Sequence, residues 1–359
     1  MDYTRFYLGF NITSGIGPAR VARLIEHFGT PEAAWQASPG DLMACGLDAK
    51  SIEALLATRR RIDLDAELAR AARLGVRLLS IESDGYPPLL RQIPQPPPLI
   101  YVRGTLAPAD EWAVAVVGTR GPSDYGREAA ARLAGDLALA GVTIVSGLAL
   151  GIDARAHQAA LDSAGRTIGV LACGVDVPYP ETNRPLAERM VASGALISEF
   201  PLGMLPVPSN FPARNRLISG LARGTLVVEA GAKSGALITV EFALEQGREV
   251  FAVPGQIFSA KSAGTNRLIR NGAAMVTCAE DILDALSWTS ATAQQEARQA
   301  LPADPVEAAL LQLLSYEPRH IDEIGRASGL AAADVAASLA MMEIKGYIRQ
   351  AGVLKYVLR

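Results

Sequence analysis

Phe211, Arg214, Asn215 and Arg216 fall within six positions of one another, and Lys233, Ser234 and Gly235 follow in the same run, Ser209 to Ile257. Cationic side chains and small turn residues beside an aromatic ring suit a site that holds phosphates while a base stacks on the ring. Between Pro206 and Gly272 eight Lys and Arg stand against four Glu, in a chain of 359 residues whose formal net charge is −3. This local excess of positive charge points one face of the protein at a polyanion. Asn210 and Phe211 sit between Pro208 and Pro212, which reads as a loop that offers the ring to a ligand.

A second group of candidates follows two apolar runs. After VAVV come Gly118, Thr119 and Arg120; after VTIV come Ser146 and Gly147, leading to Gly151 and Asp153 at the start of a helical segment. In open α/β sheets ligands sit beyond the carboxyl ends of the strands, where glycine lets backbone amides approach an anion. Tight packing of a strand-to-helix turn calls for the same glycines, so each turn alone stays open to both readings. Several enzyme classes lose their motif. Gly118 to Gly121 is not GxGxxG, and Ala232 before Lys233 breaks the phosphate-loop pattern. Ser146, Asp153 and His157 lack the elbow of a hydrolytic triad. Glu199 and Glu229 end apolar runs near arginines and read as ion-pair partners. No catalytic group, metal site or cofactor is expected. Cys45, Cys173 and Cys278 are far apart and lack ligand spacing, so they read as apolar fillers.

These side chains need a scaffold, and the patterning supplies one. Residues 1–80 carry apolar positions at helical spacing, with Arg59, Arg60 and Arg61 read as a solvated helix face. A Pro-rich connector from Asp84 to Gly104 reads as a stiff strap unable to enter the centre of a sheet. From Ala113 short apolar runs alternate with helical segments, the signature of a doubly wound, mostly parallel Rossmann-like sheet within residues 81–288. Residues 289–304 read as a linker, and 305–359 as a winged helix with its recognition helix from Ala331 to Lys345. That helix is alanine-rich and acidic, which argues against reading of duplex DNA. No leader-like start or membrane-length apolar run is present, so a cytoplasmic protein with no membrane partner is expected.

YPPLLRQIPQPPPLIYVRG, VAVVGTR, SGLALGIDARAH, GVLACGVDVPYP, ISEFP, FPARNRLISGLA, VVEAGAKSGALIT, GREVFAVPG and GTNRLIRNGA occur in this order. Together they resemble the bacterial DNA-processing protein A, or Smf, family. The resemblance implies a homodimer, formed through the Rossmann-like domain, that binds single-stranded DNA in natural transformation. It also implies protection of incoming DNA and loading of the RecA recombinase, without an enzymatic step. Arg120, the Phe211 to Arg216 loop and Lys233 match the family's DNA-groove positions, and Gly147, Gly151 and Asp153 match its phosphate-like turn. Ala236 departs from a frequent Ser, and Lys233 from a common Arg. The helical start, with Gly15, Ile16 and Gly17, is similar to a helix-hairpin-helix or SAM-like element.

Two other classes compete. A nucleotide phosphoribohydrolase on a related fold would use an acid such as Glu241, here set in EAGAKSGALITVE rather than PGGxGTxxE. A duplex-DNA regulator would rely on the winged helix.

Overall fold

The structure, a computed structural model, describes residues 2–287, 305–315, 318–344, 348–350 and 354–358. The expected linker, 289–304, lies outside the described residues. Two compact units divide the chain, Met1–Leu286 and Ser287–Arg359.

A nine-stranded sheet organises the first unit. Its strands are β1 (Val76–Ser80), β2 (Leu99–Gly104), β3 (Ala113–Val117), β4 (Thr143–Ser146), β5 (Thr167–Val170), β6 (Ala195–Ser198), β7 (Gly224–Val227), β8 (Glu249–Ala252) and β9 (Ala274–Met275). Their order is β1-β2-β6-β5-β4-β3-β7-β8-β9, parallel from β6 to β9 and antiparallel at β1 and β2. Every residue of β3 to β7 is buried, which requires cover on both faces and explains runs made of Val, Ile, Leu and Ala with only small Ser, Thr and Gly among them. The helices Asp124–Leu139, Ile152–Asp162 and Arg184–Ser193 pack together, and Asn210–Gly220 packs on Ala236–Glu245. From β3 the chain steps outward through β4, β5 and β6, then returns to place β7 on the other side of β3. Right-handed crossovers in opposite directions put the two helix groups on opposite faces, so the loops after β3 and β7 part at this point.

Two expectations fail in the connector. Prolines do not keep it out of the sheet centre: β2 begins just after Pro98 and pairs on both sides, Leu78 with Tyr101 and Tyr101 with Ser198. Only the residues before Pro98 are proline-bound, whereas LIYVRG has every amide the ladder needs. Pro88–Arg91 forms a single helical turn in place of an extended strap.

The helical start does not keep a core of its own. Tyr7, Leu8, Phe10, Leu24 and Leu55 share one buried cluster with Leu99, Tyr101, Leu171, Cys173 and Leu196 of the sheet region. Polar contacts reinforce the join, since Tyr101 donates to Asn11 at 2.8 Å and Asn11 donates to the Glu199 carbonyl at 2.8 Å. Arg59 is not a purely solvated side chain. It donates to the Ala37 carbonyl at 2.8 Å and its guanidinium carbon lies 5.6 Å from the Trp35 ring centroid.

In the second unit the helices Pro305–Gln312, Ile321–Ser328 and Ala332–Ile344 enclose a small core of Leu310, Ile324, Val335, Leu339 and Met342. Arg319–His320, Lys355–Leu358 and Ile348–Gln350 form a three-stranded sheet in that spatial order. Gly329, at φ 68°, ends the middle helix in the left-handed conformation that glycine adopts without strain. This is the winged-helix order that the sequence predicts. No described helix is long and apolar enough to cross a membrane.

Candidate nucleic-acid interface

Where the loops after β3 and β7 part lies a cleft of about 700 Å³. Gly118, Thr119 and Arg120 line it from the β3 loop, Asp153 from Ile152–Asp162, the helix after β4, and Ser234 and Gly235 from the turn after β7. Phe211, Arg214 and Asn215 line it from Asn210–Gly220. Nine sequence candidates separated by more than a hundred positions thus meet in one hollow.

Phe211 occupies the first turn of a helix rather than a loop. The proline two residues after Asn210 causes no break, because the amides of a first turn have no helical partner to lose. Helical geometry then sorts the neighbouring cations. Arg214 and Arg216 are two residues apart, about 200° around the axis, and so point to opposite sides. Arg214 turns inward to the cleft floor and is only 4% exposed. It donates to the carbonyls of Gly147, at 2.8 Å, and Val170, and to Asn215 Oδ1 at 3.3 Å. Burial pulls its guanidinium down to about 10, opposed chiefly by Asp153, which still leaves it charged at neutral pH. Arg216 pairs instead with Glu199 outside the cleft. Burial pushes the Glu199 carboxyl up, against the Arg216 charge.

Phe211 gathers the charge at the rim. The guanidinium carbons of Arg120 and Arg214 lie 5.4 and 5.9 Å from its ring centroid, within the range of cation–π attraction. Tyr179 meets the same ring edge-on at 5.9 Å and also lines the cleft. The sequence reading missed Tyr179, although an exposed aromatic between Pro178 and Pro180 was a usable signal.

Several candidates serve the framework. Ser146 is buried and donates to the Val116 carbonyl at 2.6 Å, so its hydroxyl is withdrawn from any ligand. Asp153 accepts from the amides of Gly147 at 3.2 Å and Ala149 at 3.4 Å, occupying with its own carboxylate donors expected to face a phosphate. Burial raises its carboxyl above the ordinary range, with Arg214 and these amides opposing. Gly147 is squeezed between the two: a Cβ there would lie 2.8 Å from Arg214 Nη2 and 2.9 Å from Asp153 Oδ2. Gly151, at φ 84°, has the Arg120 carbonyl carbon 2.7 Å from the place a Cβ would take, so only glycine lets the β3 loop close against this helix. Asn210 donates to the Ala172 carbonyl at 3.2 Å and does not line the cleft. Lys233 stands exposed on the turn beside Ser234, just outside the lining residues.

The two carboxylates divide. Glu199 forms the expected ion pair, whereas Glu229 accepts from the Ser123 amide at 2.8 Å and hydroxyl at 2.6 Å, clamping the start of Asp124–Leu139. Nor do the hydrolytic candidates assemble, since His157 Nδ1 meets Thr167 Oγ1 at 2.6 Å while Ser146 is bound elsewhere. Glu241, the acid that a phosphoribohydrolase would need, is exposed and absent from the cleft lining.

A Rossmann-like sheet whose switch-point cleft presents arginines and aromatic rings, joined to a winged helix, defines an α/β protein built to meet a polyanion. Comparison with known proteins narrows the class. The family described as DNA recombination-mediator protein A matches residues 77–287, and the DprA winged helix domain matches 294–352. Protein Smf of Synechocystis sp. is 35% identical, covering 98% of each chain. The X-ray structure of DNA processing protein A from Streptococcus pneumoniae superposes with a TM-score of 0.70 at 36% identity, covering 79% of this chain and 98% of that one. DNA processing protein A from Helicobacter pylori, whose structure concerns its single-stranded DNA binding mode, gives 0.54 at 29% identity, covering 60% and 96%. The chain belongs to the DNA recombination-mediator protein A family, whose members are called DprA or Smf.

Proposed function

We propose that the cleft between the β3 and β7 loops binds single-stranded DNA, with backbone phosphates on Arg120, Lys233 and the Ser234–Gly235 turn while a base stacks on Phe211. The observation that carries this reading is the joint placement of Arg120, Arg214 and Tyr179 around the Phe211 ring. Stacking and charge are tolerant of base identity, so sequence preference is slight. Arg214 acts from below, fixed by carbonyls and lending its charge to the ring. The binding mode described for the Helicobacter pylori relative supports the same ligand.

In this reading the protein shields incoming DNA during natural transformation and helps load RecA. It works in the cytoplasm as a homodimer joined through the Rossmann-like unit, and no catalytic step takes part. A gel-shift series with single-stranded and duplex DNA at several salt concentrations tests the central claim. Tight single-strand binding that weakens steeply with salt is expected; equal affinity for duplex would refute it.

A further inference from the structure

From Val250 to Ala279 the chain holds Lys261, Arg267 and Arg270 and not one carboxylate. Its first part, the loop after β8, leaves the same end of the sheet as the cleft loops and is fastened to both. Lys261 Nζ donates to the Gly121 carbonyl at 2.7 Å, one residue beyond Arg120. On the other side the Gly264 amide donates to the Ala230 carbonyl at 2.8 Å, and the Ala260 carbonyl lies 3.3 Å from the place a Cβ at Gly231 would take. Asn266 closes the loop on itself, accepting from the Gly255 amide and donating to the Gly255 carbonyl, both at 3.0 Å. At the tip of this braced loop stand Ile257 and Phe258, 82% and 95% exposed, the two most exposed large apolar side chains among the described residues.

A single exposed apolar residue calls for no explanation. Here, however, a bare aromatic ring is held out by a pre-ordered loop, between polar Gln256 and cationic Lys261, next to the loop that carries Arg120. Fixing the loop in advance lowers the entropy lost when a ligand settles on it. The ring supplies a face for a base, and the cations of the same carboxylate-free stretch favour its phosphates.

We propose that Phe258, with Ile257 beside it, is a second stacking platform, over which a single strand passes after leaving the cleft at Arg120. The proposal rests on the cleft being the single-strand site, and it predicts a length dependence that the cleft alone does not. Oligo(dT) of about 4 and about 16 nucleotides, the usual range of single-strand site sizes, serve as probes in fluorescence anisotropy on the full chain. Phe258→Ala is expected to weaken binding of the long probe about five-fold or more, to leave the short one unchanged, and to melt like the parent because the side chain makes little contact. Phe258→Trp is expected to be quenched by the long probe and not by the short one. If Phe258→Ala changes neither affinity while Arg120→Ala weakens both, the platform is overturned and the cleft stands. If neither variant has any effect, both readings fall. If Phe258→Ala instead shifts the monomer–dimer balance in sedimentation with affinities unchanged, the tip belongs to a contact between copies and the platform is overturned.

Discussion

The guanidinium carbon of Arg120 lies 5.4 Å from the centroid of the Phe211 ring, joining the β3 loop to a helix that begins after β6. Neither side chain is sealed in: Arg120 is exposed and Phe211 half-buried. The ring is thus positioned from one side by charge and left open on another.

Replacing Phe211 by Ala removes the platform. Single-strand affinity is expected to fall about five-fold or more, from the roughly 1–3 kcal/mol that a stacked base contributes. Phe211→Tyr keeps the ring face and is expected to bind like the parent. Fluorescence titration with oligo(dT) reads both.

Arg120→Ala and Lys233→Ala each remove one exposed cation near the strand's path. Each is expected to flatten the slope of log affinity against log salt by about one phosphate contact. Titrations at four or more salt concentrations provide the measurement, and slopes equal to the parent's in both variants would count against the groove.

Arg216→Ala tests the opposite assignment. Because Arg216 pairs with Glu199 away from the cleft, DNA affinity is expected to stay within about two-fold while stability drops by about 3–5 kcal/mol, the cost of a buried carboxylate left alone. Adding Glu199→Leu removes that carboxylate, and denaturant unfolding is expected to recover a large part of the loss.

Acid should weaken the fold through His157. Burial, with the Arg214 charge, pushes its imidazole down from 6.5 to about 3. Below pH 6.5 the unfolded chain takes up a proton that the folded chain refuses until about 3. Stability is therefore lost on acidification through that window and kept above it. At pH 5 this amounts to about 2 kcal/mol. The raised carboxyls of Asp153 and Glu199 act in the opposite sense. They are common to parent and variant, so comparing urea unfolding of the parent and His157→Gln at pH 7 and pH 5 isolates the histidine. An equal pH dependence in both would refute the assignment.

The chain announces its parallel sheet openly. VAVV, TIVS, TIGV, ALIS and TLVV are buried on both faces, so each is apolar apart from small Ser, Thr or Gly, and that demand is visible in one dimension. The glycine turns, the family resemblance and the winged-helix order were equally legible, because local backbone geometry and ordered motifs need no partner from elsewhere. The sequence also marked the cationic, aromatic stretch around Phe211 as the place to look.

Which way each side chain faces was settled only by the fold. Reading Pro208 to Pro212 as a loop hid a helical turn, and with it the rotation that separates Arg214 from Arg216. Ser146 and Asp153 sat in the right turn, yet their partners, the Val116 carbonyl and the Gly147 and Ala149 amides, absorb them. Tyr179 joined the cleft from a stretch that carried no charge signal. Composition reports which groups a chain owns; which of them remain available to a ligand depends on hydrogen bonds and packing between distant strands, and those exist only once the sheet has formed.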